Sequence, residues 1–192
     1  MVFFNKKNNQ MKDLRWKKFD GTRIPDINKY VLNYVKNVDK NAKVIVGCDS
    51  QPHSRKTSFA VTVVFYNEFK KDGAHVVHAI YKTPRVKDVI SKLWKEAVAV
   101  YEVAESLNNS LKGKYFYKFD KNYYDNSVPN KLVEIHVDLN MSVSTRNGRR
   151  MSNNISNKIY NDVMGWLCGE SYKVMGKPFS YGASSCSDKL CR

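Results

Sequence analysis

Acidic residues are scarce in this chain, with 18 Asp and Glu against 33 Lys and Arg and a formal net charge of +15 over 192 residues. That excess is beyond what solubility asks of a domain this size, and it points to a polyanion met through phosphate contacts and counterion release. Cysteine is sparse too. Cys48, Cys168, Cys186 and Cys191 contain no C-x-x-C pair, and the four scattered histidines complete no zinc pattern. A reduced, cytoplasmic setting is expected. Long apolar runs are missing: the longest, near FAVTVVF, is too short to cross a bilayer, and MVFFNKKNNQMKDLRWKK lacks the apolar stretch of a signal peptide. The expectation is a soluble protein with no membrane partner. No glycine-rich phosphate loop is present, and the chain is too short for both halves of an actin-like ATPase, which ranks that reading last. The oligomeric state stays open, a dimer among the options.

What is present suits one compact domain, 42% hydrophobic and 12% aromatic. Residues 1–24 form a basic N-terminal arm or short cap, and 25–192 the domain. PDINKYVLNYVKNV (25–38) has apolar residues at helical spacing, started by Pro25 and Asp26. KVIVGCDS (43–50), TSFAVTVVFYN (57–67) and HVVHAIYKT (75–83) read as a three-strand meander. VKDVISKLWKEAVAVYEVAESL (86–107) is the clearest helix. An aromatic and basic insertion follows at 108–130, then the strand KLVEIHVDLN (131–140) and the basic loop MSVSTRNGRR. The helix ISNKIYNDVMGWLCG, the strand SYKVMGKPF and a short C-terminal helix complete the order. A meander followed by alternating helices and strands predicts a mixed α/β sheet with helices on its faces.

With so few acids, those at apolar positions need explaining. Asp49 ends VIVGCD and Asp138 ends VEIHVD, each where a buried strand meets a loop. Asp138 shares a strand face with Glu134 and His136, while Val133, Ile135 and Val137 take the other. Glu96 is sharper still. On a helical projection Val89, Leu93, Val100, Val103 and Leu107 all fall within roughly 60° of it, whereas Glu102 and Glu105 point away. A lone acid on a core-facing stripe costs several kcal/mol unless paired or metal-bound. Asp188 lies where a C-terminal helix could meet the same sheet edge. Each has a plainer explanation: Asp49 and Asp138 as turn caps, Glu96 paired with a buried Arg or Lys, Asp188 as a helix N-terminal acid. Taken together, carboxylates that converge repel one another and call for a cation. Oxygen-only ligands point to Mg²⁺ or Mn²⁺.

VIVGCDSQPHSRKTSFAVTVVF, LWKEAVAVYEVAESL, EIHVDLN and KPFSYGASSCSDK, in this order, resemble the RNase H-like family called YkuK-like, from about Lys43 to the C-terminus. The resemblance implies an RNase H-like five-stranded mixed sheet, meander first, flanked by helices. Asp49 then takes the first-strand acid position, Glu96 the first-helix position, Asp138 the fourth-strand position and Asp188 the C-terminal helix position. Ser50 and Gln51 match a D-S-Q pattern, where Gln51 could orient a water or a phosphate. Cys48 stands where a Thr is expected, and the 108–130 insertion departs from the pattern.

The chemistry such a site supports is two-metal phosphodiester hydrolysis, with Asp49 bridging two ions roughly 4 Å apart and Asp138, Glu96 and Asp188 completing their shells. Lys189, beside Asp188, could neutralise charge developing on phosphate. In the insertion, Lys114 and Lys118 interleave with Tyr115, Phe116, Tyr117 and Phe119, cations for phosphates and rings for bases; the alternative is a hairpin packed on the domain. Arg146, Arg149 and Arg150 follow Asp138 closely enough to position a phosphate. His136 reads as a strand-face neighbour, and His75 and His78 as surface strand residues. The expected partner is DNA or RNA. The rival reading is a catalytically silent module of the same fold that binds nucleic acid or a protein.

Overall fold

Two capped helices and a strongly apolar meander set the frame. A computed structural model describes residues 14–70, 73–115, 131–140, 145–146, 149–150 and 155–191; at 112–115, 140, 145–146, 149–150, 155–158 and 184 it describes the backbone alone. In chain order the elements are β1 (Trp16–Lys18), β2 (Arg23–Ile24), α1 (Ile27–Asn33), β3 (Lys43–Pro52), β4 (Lys56–Tyr66), β5 (Ala74–Pro84) and α2 (Val89–Tyr115). They continue as β6 (Val133–Asn140), β7 (Thr145–Arg146), β8 (Arg149–Arg150), α3 (Ile155–Gly169), β9 (Lys173–Lys177) and α4 (Asp188–Cys191). A π-helical turn, Tyr34–Val38, extends α1, and another, Gly182–Ser187, runs into α4.

Asp26 caps α1 by accepting from Lys29 N–H at 3.1 Å, as Pro25–Asp26 predicts. Asp88 does the same for α2, accepting from Ser91 N–H at 2.7 Å. The α2 helix therefore begins three residues later than the periodicity suggests and runs on into the insertion, to Tyr115.

The main sheet has the order β2-β1-β5-β4-β3-β6-β9. Its meander is antiparallel, while β3–β6 and β6–β9 are parallel. This is the expected mixed sheet with seven strands instead of five. The two additions come from the N-terminal region expected to be an arm: Lys17 pairs with His78, and Trp16 and Ile24 are buried in the core. Strands of three and two residues are too short to carry a readable period.

Central β3 is buried on both faces, as its unbroken apolar run requires. Val44, Val46 and Cys48 join Val133, Ile135 and Val137 in a core covered by α1, α2 and α3. Ile45 turns to the opposite face with Val64 and Val76. That second face receives the C-terminal segment, through a close approach at Gly47. A Cβ there would lie 2.5 Å from the Gly182 carbonyl carbon and 2.6 Å from Ala183 N, so only glycine lets the chain pass.

Candidate active site

Parallel pairing of β3 and β6 sets Cys48 opposite Val137. Asp49 and Asp138, the next residue on each strand, follow this last pair at the carboxyl ends of two adjacent strands, near enough for the Asp138 charge to act on Asp49. Alternation puts both on the face that carries Gly47 and His136, under the C-terminal segment. Asp49 is only 8% exposed. Burial raises its pKa, and the charges of Asp138 and Asp188 add to that rise against the opposing pull of Ser50 N–H and Lys92.

The C-terminal segment is fixed by its backbone. Gly182 N–H donates to His136 Nδ1 at 3.0 Å, and Thr62 Oγ1 donates to the Gly182 carbonyl at 3.1 Å. Cys191 then donates its S–H to the Asp49 carbonyl at 3.0 Å. These contacts bring half-buried Asp188, the first residue of α4, within electrostatic reach of Asp49.

Glu96 approaches from α2 and lines one small cavity with Cys48, His136, Val137 and Asp138. Leu93, Val100, Val103 and Leu107 are buried beside it, as the helical stripe predicts, and Glu96 itself is 5% exposed. Val89, the first residue of α2, departs from the stripe at 42% exposure. Ser50 Oγ donates to Glu96 Oε1 at 2.5 Å. Lys92 Nζ lies 3.3 Å from the same oxygen and donates to the Ser50 carbonyl at 3.1 Å. Burial pushes the Glu96 carboxyl up to about 7, with Lys92 and Ser50 pulling down and Asp49 pushing further up. The pairing of Glu96 with a lysine is thus present, and so is the place of Asp188 in a helix's first turn.

A ribonuclease H-like family model matches residues 26–192. The chain belongs to the ribonuclease H-like family. No curated protein and no solved structure matches it. In this ribonuclease H-like chain the four acids of the motifs are linked in sequence by their fields, Asp49 sensing Asp138 and Asp188 and Glu96 sensing Asp49. They are not drawn together into one cage: among the described residues no three His, Cys, Asp or Glu side chains stand ready to hold a metal ion.

What fits a hard cation is the Asp49–Asp138 pair. Its donors are oxygens, Asp49 is desolvated, and Asp138 Oδ1 is buried without a hydrogen bond of good geometry. Lys177 Nζ stands 2.9 Å from that oxygen, near enough for an ion pair but off the line of a hydrogen bond. Two lysines, Lys92 and Lys177, therefore belong to the site and were not anticipated. Lys92 had a signal, since it lies four residues before Glu96 on one helix. Lys177 had none short of the β6–β9 register.

His136 is a strand-face neighbour, as expected, and is fully buried. With Nδ1 accepting from Gly182, its N–H sits on Nε2 and donates to Glu134 Oε1 at 2.9 Å. His75 and His78 are half-buried instead of lying on the surface: His75 stacks on Tyr34 and bonds the Tyr30 hydroxyl at 2.7 Å.

Ser50, expected among substrate contacts, is buried and gives its hydroxyl to Glu96. Gln51 is exposed one residue further on, and Lys189 is exposed beside Asp188. Arg146 pairs with Arg149 across a two-stranded hairpin whose other pair is Thr145 and Arg150, described in its backbone alone. Lys114 closes α2, described likewise, and Lys118 lies outside the described residues. An open groove beside the site is lined by Pro52, Arg85, Val86, Lys87, Val89 and Lys92. No helix among the described residues is long and apolar enough to cross a membrane.

Proposed function

We propose that this protein is a divalent-metal-dependent nuclease that hydrolyses phosphodiester bonds of DNA or RNA at Asp49, Glu96, Asp138 and Asp188. The observation that carries the reading is the placement of Asp49 and Asp138 at the carboxyl ends of adjacent parallel strands, in a chain of net charge +15. A binder of polyanions gains nothing from two repelling, desolvated acids, whereas a site for a cation requires them. Bound Mg²⁺ or Mn²⁺ would supply Lewis acidity toward the scissile phosphate and lower the pKa of a water.

Asp49 and Asp138 are the oxygens that would hold the ion, and Asp188 reaches their edge from α4. Glu96, held by Ser50 and Lys92, supports the site from beneath. Exposed Arg85 and Lys87, with Lys92, line a groove suited to a phosphate chain. Gln51 and Lys189 flank the acids, and Arg146, Arg149, Arg150, Lys114 and Lys118 are proposed as further contacts to nucleic acid.

The silent-module reading is favoured by one observation, that Glu96 already has an ammonium partner. Cleavage of labelled DNA and RNA with Mg²⁺ or Mn²⁺, wild type against Asp49→Asn, separates the two. Metal-dependent cutting lost in Asp49→Asn supports the nuclease. Binding without cutting on every substrate sinks it.

A further inference from the structure

We infer that Phe179 is a stacking platform for an unpaired base beside the acid pair, so that the protein selects single-stranded nucleic acid. This rests on the nuclease reading of that pair and names the form of substrate the site takes.

β3, β6 and β9 run parallel, so their carboxyl ends share one edge of the sheet. Open α/β sheets meet their ligands at such an edge. Two of the three ends carry acids, Asp49 and Asp138, and the third carries a turn. β9 closes at Lys177, which pairs with Asn140 and sets its Nζ 2.9 Å from Asp138 Oδ1. Phe179 follows two residues later, so its Cα lies within about 7 Å of that of Lys177.

The ring of Phe179 is displayed by a backbone that is held on both sides. Phe179 itself is 58% exposed, while its N–H donates to the Gly176 carbonyl at 2.9 Å and closes the turn. Ser180, the next residue, is fully buried, and its carbonyl accepts from Ala183 N–H at 3.0 Å. Beyond it Gly182 passes against Gly47. Tyr181 is used differently, its ring meeting His136 edge-on at 4.7 Å and Tyr66 at 5.9 Å. Among the described residues no ring pairs with Phe179.

Single exposed apolar side chains are ordinary on a protein surface. Phe179 is set apart by its place. Phe69 is more exposed, but it lies in the turn after β4, at the end of the sheet where β3 begins. Phe19 follows β1, three strands away from β3. An aromatic face takes a base only when that base is unpaired and splayed out of its own stack, and it takes any of them, since every base has a π-face. The phosphate chain that brings the base is attracted by the net charge of +15.

Single strands of DNA and of RNA carrying 2-aminopurine, a base whose fluorescence falls on stacking, test this on the full chain in chelator. Wild type is expected to quench at least one of the two, which names the sugar it takes, and to leave the matching duplex unchanged. Phe179→Ala is expected to lose the quenching and about tenfold in single-strand affinity, with the same slope of affinity against salt, because no phosphate contact is removed. Its urea midpoint should match wild type, since most of the ring faces water. Phe179→Trp should restore the quenching, and Phe69→Ala should behave as wild type. Quenching that survives in Phe179→Ala would overturn the inference. So would a duplex bound as tightly as the single strand, or a chain that binds no strand at all. A chain with Phe179-dependent quenching that cuts nothing in Mg²⁺ or Mn²⁺ loses the nuclease reading and keeps this one. A chain that cuts, with KM unmoved in Phe179→Ala, loses this one only.

Discussion

Ser50 Oγ donates to Glu96 Oε1 at 2.5 Å, joining the carboxyl end of β3 to the buried flank of α2. The bond has an electrostatic counterpart in Asp49, the neighbour of Ser50, whose side chain emerges on the other face and whose charge raises the Glu96 pKa. Adjacent residues of β3 therefore act on Glu96 together, Ser50 by its hydrogen bond and Asp49 by its charge.

The pH dependence of metal-free stability follows from Glu96. Burial lifts its carboxyl from 4.5 to about 7 in the fold. Between those values the folded chain holds a proton that the unfolded chain has released, so stability falls as pH rises through the window. The full effect is about 3 kcal/mol, since each pKa unit is worth about 1.4 kcal/mol. Urea unfolding in a chelator, at several pH values across the window, is expected to show that slope in the wild type. In Glu96→Gln the downward slope should be smaller, with Asp49 and Glu102, raised by burial, and His75 and His78, lowered by it, left to titrate. A wild type that gains stability across the same window would contradict the assignment.

Gly47→Ala tests how Asp188 is positioned. The new methyl would sit 2.5 Å from backbone of Gly182, which no side-chain rotation relieves. Overpacking of this kind costs about 1–3 kcal/mol, and the displaced segment carries Asp188 and Cys191 with it. A lower urea midpoint is expected, together with faster thiol labelling of Cys191 as its contact with the Asp49 carbonyl is lost. Unchanged stability and labelling would mean that the C-terminal segment does not depend on this approach.

Much of this architecture is legible in the residues, and the limits have physical causes. Glu96 declares itself because helical periodicity fixes its neighbours regardless of tertiary structure, and Leu93, Val100 and Leu107 are indeed buried beside it. The strand ends at Asp49 and Asp138 can be read from the apolar runs before them. Their adjacency cannot, because the register of two parallel strands separated by a long helix is set by packing. Gly47 is visible as a glycine inside a strand, but its reason lies in backbone more than a hundred residues away. Trp16 and Ile24 escape because their strands borrow order from the edge of β5 instead of carrying a pattern of their own. Lys92 is legible from spacing alone, since it lies four residues before Glu96 on one helix.

His136 holds β6 to the C-terminal segment through both ring nitrogens, one accepting from Gly182 N–H and the other donating to Glu134. Replacement by leucine keeps the bulk and leaves a buried N–H without an acceptor. The cost expected is about 1–3 kcal/mol. Glu134 is raised by burial but drawn down to about 2 by hydrogen bonds from His136 and Lys173 and by the Lys173 charge. In His136→Leu that carboxyl should titrate at higher pH, with Lys173 still beside it at 2.8 Å. Carboxyl carbon NMR titration reads the shift directly, and an unmoved Glu134 would remove His136 from the network.

Asp49→Asn should act with opposite sign in the absence and presence of metal. Without metal, Asp49 is a desolvated acid beside Asp138 and near Asp188, and its raised pKa records that the fold disfavours its charge. Asparagine keeps the shape and removes the repulsion, so the metal-free variant is expected to be more stable than wild type near neutral pH. With Mn²⁺ in excess the order should reverse, because a ligand that binds only the folded state stabilises it in proportion to the logarithm of its concentration over Kd. The variant has lost one of the two carboxylates that fit the ion. Thermal unfolding in chelator and in Mn²⁺, run side by side on both proteins, gives the crossing or its absence. If wild type is the more stable protein in chelator, Asp49 is not the repelled acid this geometry makes it. If both proteins gain equally from Mn²⁺, the ion is bound somewhere else.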